Sequence, residues 1–285
     1  PWIPRKATPT GKRIAIVGAG PSGLSAAYYS ASNGHDVTVF DKQPEPGGMM
    51  RYGIPAYRLP HDVLAKEIGV IEALGVKIMT GKALGTQVSL EGLRNDFDAV
   101  YLAIGSWRAT ALNLEGEAAG SVRLGIEYLQ RVASGIDLPL GERVVVVGGG
   151  NTAIDCARTA LRLGAKNVQL LYRRGRDEMP AEPYEVEEAL LEGVEMIFLA
   201  APTRIAEQGG AKQLHCIAMA LGEPDRSGRR RPVPVEGSEF TIACDTVIGA
   251  IGHSTNTQFL YHDLPVRLNP WGDIDINGRT METSE

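Results

Sequence analysis

Two glycine-rich turns of one type carry the chemistry open to this sequence. The first reads Gly18-Ala-Gly20-Pro21-Ser22-Gly23, follows the apolar run Ile14–Val17 and leads to a second run that ends at Asp41 and Lys42. The other reads Gly148-Gly-Gly150-Asn151-Thr152-Ala153, follows Val144–Val147 and leads to a run that ends at Tyr172-Arg173-Arg174. In such a turn the first glycine permits the tight bend, the second lets the backbone approach a pyrophosphate, and the third lets the helix pack on the strand. Ala153 at the third place affects only that packing. A pyrophosphate then sits among free N–H groups at the positive end of the helix. Asp41 stands where a carboxylate accepts hydrogen bonds from adenosine ribose hydroxyls. Arg173 and Arg174 stand at the equivalent place in the second copy, where guanidinium groups bind a 2′-phosphate that a carboxylate would repel. Arg176 is a third candidate there. The contrast points to two different dinucleotides, NADP(H) on the second turn, and electron transfer between them.

The stretch Gly47-Gly48-Met49-Met50-Arg51-Tyr52-Gly53-Ile54-Pro55 follows Asp41 directly. Paired glycines bring N–H groups close to something flat or anionic. The functional reading is a cradle for a flavin ring; the structural one is a surface loop. Cys156, Cys216 and Cys244 are far apart in sequence, so neither a disulfide framework, a zinc or iron–sulfur cluster nor a redox cysteine pair is expected. They read as buried small residues in a reducing, cytoplasmic setting. The five histidines show no ligand spacing, and no metal site is expected. The basic run Arg226–Arg231 reads as a solvated hairpin tip. A net charge of −5 gives no field for nucleic acid, and no run approaches a membrane span of roughly 20 apolar residues.

These motifs need strands and helices to place them. The sequence predicts strands at Arg13–Val17, Val37–Phe40, Lys77–Met79 and Ala99–Ala103, with helices at Ser22–Asn33 and His61–Leu74. The second helix would turn Val63, Leu64, Ile68, Ile71 and Leu74 to one side. Prolines and glycines exclude regular structure from Gln43–Pro55. The pattern restarts with strands at Arg143–Val147 and Val168–Leu171 and helices at Thr152–Leu163 and Ala181–Glu192. A hairpin is expected over Pro202–Leu221 around Gly209-Gly210, and a last strand at Thr246–Ile251. The fold class is therefore α/β, with two Rossmann-like three-layer dinucleotide-binding domains, the second inserted in the first. Residues 1–106 and 253–285 form the first domain, C-terminally incomplete, and 107–252 the NADP(H)-binding domain. The start Pro-Trp-Ile-Pro, without Met, reads as an excised region.

Taken together, Gly18–Gly23, Gly47–Pro55 with Tyr57-Arg-Leu-Pro60, Ala103-Ile-Gly105, Gly148–Ala153, Tyr172–Arg174 with Glu178-Met-Pro-Ala181, and Ala250-Ile251-Gly252 resemble the glutamate synthase small (beta) subunit family. The FAD and NADPH part of dihydropyrimidine dehydrogenase is similar. The resemblance implies FAD in the first fold, NADPH in the second, and electrons passed through iron–sulfur clusters to a partner domain or large subunit. Such proteins carry an N-terminal cysteine-rich region, absent from this sequence, and close with a Gly-Asp segment at the flavin; the sequence stops at Met281–Glu285, just before that segment, and therefore reads as truncated at both ends. The implied step is hydride transfer from NADPH C4 to flavin N5 across about 3–3.5 Å, with the protein supplying position and no side chain acting as catalyst. The alternatives are a self-contained NADPH-dependent flavin reductase and a nucleotide-binding scaffold without turnover. On this reading, replacing Arg173 and Arg174 together by Ala weakens NADPH far more than NADH; equal loss for both removes the phosphate role.

Overall fold

The computed structural model describes residues 5–117, 121–208, 211–225, 228–257 and 266–284. The chain divides into two compact units, Pro1–Arg108 with Ser254–Glu285, and Ala109–His253.

In the first unit, β1 (Arg13–Val17), α1 (Pro21–Ser32) and β2 (Asp36–Phe40) follow in order. Next come α2 (Met49–Tyr52), α3 (His61–Ala73), β3 (Lys77–Met79), α4 (Leu90–Asp96), β4 (Ala99–Leu102) and the two-residue β5 (Arg108–Ala109). The parallel sheet has the order β3-β2-β1-β4. Alternation along β1 sorts its side chains between faces. Ile16 packs with Leu24, Ala27, Leu64 and Ile68 of α1 and α3. Ala15 and Val17 pack with Phe40 and Leu93 on the other side. Two expectations change here. A helical turn, α2, forms inside the Pro/Gly-rich stretch because Gly48, at φ 53°, takes the N-cap conformation that an L side chain resists. Val63 is exposed, so only Leu64, Ile68 and the C-cap Leu74 of the predicted side are buried, with Ile71 partly so.

The second unit holds β6 (Val122–Leu124), α5 (Gly125–Ala133), β7 (Arg143–Val147), α6 (Asn151–Arg162), β8 (Asn167–Tyr172), α7 (Pro183–Leu191) and β9 (Glu195–Phe198). β10 (Ala200–Gln208), β11 (Ala211–Pro224), β12 (Arg230–Cys244), β13 (Thr246–Gly249) and the short β14 (His253–Ser254) follow. The parallel sheet runs β6-β13-β7-β8-β9. Its β-branched strands are covered on both faces, as an all-parallel sheet requires. Val144, Val146 and Leu170 meet Ile154, Ala157 and Val186 of the helices. Val145, Val147 and Leu171 meet Ile205, Leu214, Cys216 and Cys244 of an antiparallel sheet ordered β10-β11-β12. The expected hairpin is thus two strands of a three-stranded sheet. β12 escaped notice because it is largely exposed and is interrupted by Pro232, Pro234 and Gly237. Its pairing with β11 runs through both prolines, Met219 opposite Pro234 and Leu221 opposite Pro232. Gly209-Gly210 and Arg226 lie outside the described residues. The strand expected at Thr246–Ile251 is β13, which ends at Gly249. Among the described residues no helix is long and apolar enough to cross a membrane.

Asp245 ties the entrances of β7 and β13 together. Its Oδ1 accepts from Arg143 Nη2 at 2.6 Å, and its Oδ2 accepts the N–H groups of Glu142 and Arg143 at 3.0 and 2.9 Å. The Arg143 guanidinium, then the main-chain donors, hold the Asp245 carboxyl down at about 2. A depressed folded pKa contributes stability above the ordinary value of about 3.9, and that contribution is lost as pH falls through about 2. The difference in unfolding temperature between wild type and Asp245→Asn is therefore expected to be full at pH 5 and to shrink towards pH 2; a difference constant with pH contradicts this.

Candidate functional site

In the first unit the carboxyl ends of β1, β2 and β4 open on a cleft of about 490 Å³. Gly18, Gly20, Pro21 and Ser22 form one side of it, where α1 begins with no acidic residue in its first turn. The glycines divide the work as their steric surroundings dictate. A Cβ on Gly18 would overlap the Ala103 carbonyl oxygen, and one on Gly23 would overlap the Gly18 carbonyl oxygen. A Cβ on Gly20 would meet only Gly48 Cα, at 3.8 Å, and would otherwise fill the cleft. Gly20 thus leaves the cleft open beside the start of α1. The Gly47-Gly48 stretch closes against it: Gly47 N–H donates to Ala19 O at 2.8 Å. Gly48 and Met49 line the cleft, as do Ala103 and Gly105 behind β4.

Asp41 is buried at the end of β2. Its Oδ2 accepts the Ala19 N–H at 2.6 Å and its Oδ1 the Gln43 N–H at 2.7 Å. The carboxylate therefore braces the glycine turn as well as facing the cleft. Lys42 lines the cleft with Nζ 5.5 Å from the centre of the Trp107 ring. Trp107, Lys82, Thr255 and Asn256 also line it and carried no motif that would single them out. Four predicted residues do not line it; Gly23 packs beneath the turn. Arg51 is buried, paired with Glu45 at 2.5 Å and donating from Nε to Pro46 O at 2.8 Å. Gly53 packs against Met49, and neither it nor Ile54 lines the cleft.

The second unit repeats the turn. A Cβ on Gly148 would overlap the Ala250 carbonyl oxygen, as Gly18 does with Ala103. Gly150 caps α6, and the nearest atom to a Cβ there is Pro180 Cγ at 3.9 Å, so this side is open too. Ala153 is fully buried against the sheet. Asn151 and Thr152 begin the helix; Asn151 Oδ1 accepts the Glu182 N–H at 2.9 Å, which fixes the segment after the Glu178-Met-Pro motif beside the turn. Ile251 is exposed and Gly252 adopts a positive φ just after β13. The arginines part company. Arg173 is exposed and makes no ion pair or hydrogen bond among the described residues. Arg174 is buried in an ion pair with Asp225, and Arg176 pairs with Glu187. Of the two arginines expected to face a phosphate, only Arg173 leaves its guanidinium exposed in this structure.

All three cysteines are fully buried. Desolvation pushes the thiols of Cys216 and Cys244 up to about 12 and about 11, and that of Cys156 well above its ordinary value. Thiolate is the reactive form, so these side chains are inert in thiol–disulfide exchange.

The family model described as pyridine nucleotide-disulphide oxidoreductase matches residues 12–285. The chain belongs to that family. Within it, the chain is 47% identical over 92% of its length to the NADPH-Fe(3+) oxidoreductase subunit beta of Geobacter sulfurreducens. It is 45% identical over its whole length to the NADP(+)-dependent formate dehydrogenase subunit beta of Moorella thermoacetica. It is 40% identical over 95% of its length to the glutamate synthase [NADPH] small chain of Escherichia coli. The chain spans 40%, 42% and 59% of those relatives. Among solved structures, Mycobacterium tuberculosis FprA in complex with NADPH matches with a TM-score of 0.75 at 20% identity, over 92% of this chain and 74% of that one. That likeness bears out the α/β dinucleotide-binding fold.

The steric contrast within the first turn is testable in the unliganded protein. Gly20→Ala is expected to leave the unfolding temperature within about 3 °C of wild type while weakening FAD in titration. Gly23→Ala is expected to cost about 2 kcal/mol or more, because its methyl meets backbone that cannot yield. Unaltered FAD affinity in Gly20→Ala overturns the cradle.

Proposed function

We propose that this family member is the FAD- and NADPH-binding module of an electron-input oxidoreductase. FAD occupies the first unit, residues 1–108 and 254–285, and NADPH the second, 109–253. The observation that carries this reading is the unequal chemistry at two equivalent places: a buried carboxylate, Asp41, at the end of β2, and an exposed guanidinium, Arg173, just past the end of β8.

In the first unit, the α1 N-terminus and the bare Gly20 receive a pyrophosphate, and the Gly48–Met49 turn holds the chain's second set of N–H groups beside it. Asp41 has lone pairs left for ribose hydroxyls beyond those used by Ala19 and Gln43. In the second, Gly150, Asn151 and Thr152 present the α6 N-terminus, and Arg173 supplies a cation for the 2′-phosphate. When bound, the coenzymes supply the redox chemistry, hydride from nicotinamide C4 to flavin N5, and the protein contributes binding and orientation. The inert cysteines speak against a thiol relay in this chain, so electrons leave to an acceptor outside it. The subunit names of the relatives support a partner subunit; iron–sulfur centres in that partner and a cytoplasmic setting belong to the proposal.

The full-length protein is expected to purify with a flavin absorption band that NADPH bleaches anaerobically, faster than NADH does, with reoxidation by ferredoxin-like acceptors. Flavin left oxidised by excess NADPH sinks the proposal; equal use of quinone-like acceptors favours a free-standing reductase.

A further inference from the structure

The side chain of Arg174 is 7% exposed and held against the β11–β12 end of the antiparallel sheet. Its Nε donates to the Arg230 carbonyl at 2.7 Å and its Nη2 to Asp225 Oδ2 at 2.9 Å. Its main chain is held as well, since Arg174 O accepts the Leu199 N–H at 3.1 Å. The far side of the link is itself braced. Arg230 donates from Nη2 to Leu221 O at 2.7 Å, and Leu221 Cδ1 would stand 3.8 Å from a Cβ on Gly175. The Arg174 side chain thereby ties its own backbone to Asp225 and Arg230, with Leu221 beside Gly175, and Arg173 is the residue before it. To reach a phosphate, the buried Arg174 guanidinium would have to abandon a half-buried carboxylate and a carbonyl, an exchange that a buried charge resists.

We infer that Arg174 is a positioning residue and not a phosphate ligand: through Asp225 and the Arg230 carbonyl it fixes the stretch 173–175, so that a single guanidinium, that of Arg173, sets the preference for the phosphorylated coenzyme. The inference rests on the NADPH reading above and deepens it. It gives Asp225, an acid in a β-hairpin, a part in coenzyme choice that its charge alone would contradict. An acid near a phosphate should hinder binding; one that holds Arg174 in place should help it.

The sign of the Asp225 effect is therefore the test. Dissociation constants for NADPH and NADH are measured on the full-length flavoprotein and on Arg173→Ala, Arg174→Ala, Asp225→Asn and the Arg174→Ala/Asp225→Asn double variant, with unfolding temperatures alongside. Arg173→Ala is expected to weaken NADPH about tenfold or more, with NADH within about twofold. Asp225→Asn and Arg174→Ala should each weaken NADPH about three- to tenfold, and the double variant should be no worse than the worse single one, as for residues acting as one unit. Tighter or unchanged NADPH binding in Asp225→Asn, beside a loss in Arg174→Ala, means that Arg174 leaves Asp225 for the phosphate and overturns the inference. If Arg174→Ala does not fold, the isosteric Asp225→Asn decides alone. A preference for NADPH that survives Arg173→Ala overturns the phosphate reading itself, which the Asp225 arm does not touch.

Discussion

The whole architecture turns on one close approach made twice. The first glycine of each turn lies so near the carbonyl oxygen of an alanine behind a neighbouring strand that no side chain fits between: Gly18 against Ala103, Gly148 against Ala250. Each pair is set by parallel register, with Val17 opposite Leu102 and Val147 opposite Gly249. The strand before the turn and its neighbour, β4 or β13, must therefore end at the same level. That levelling aims the following helix, α1 or α6, so that its free N–H groups open at the carboxyl edge of the sheet. Everything that a dinucleotide would touch is positioned from this edge.

Because the same construction serves both units, their differences fall on residues outside the turn. Asp41 folds back onto the Ala19 N–H, so its charge is spent partly on holding the turn. The second turn has no such internal acid and is braced from the Ala181–Glu182 segment, through Gly149 O and the Asn151 side chain. A turn stiffened by its own carboxylate and one stiffened by a distant segment answer differently to the loss of one residue, although they share a backbone path.

The strands and helices that obey a clear period were legible from the sequence: Arg13–Val17 and Arg143–Val147 are as read, because short apolar, mostly β-branched runs ending at a glycine turn suit a strand covered on both faces. The glycine turns were legible for the same reason, local sterics. Two features were not. The β12 strand has its solvent face, its prolines and its charges mixed, so only its pairing with β11 defines it. The separate fates of Arg173 and Arg174 depend on Asp225 and Arg230, some 51 and 56 residues away in sequence, and no adjacent signal marks which of two neighbouring guanidiniums faces inward. Trp107 and Lys82 reached the cleft in the same unannounced way.

Pro232 and Pro234 have no main-chain N–H to offer, and β12 is an outermost strand of its sheet. Since pairing with β11 continues past both residues, the missing donors fall on the outer margin, where proline is tolerated. A foreign strand laid along that margin finds a ladder with rungs absent at alternate positions. The longest strand of the molecule thus carries its own stop against edge-to-edge polymerisation, and crowded chains gain no template for aggregation along this stretch.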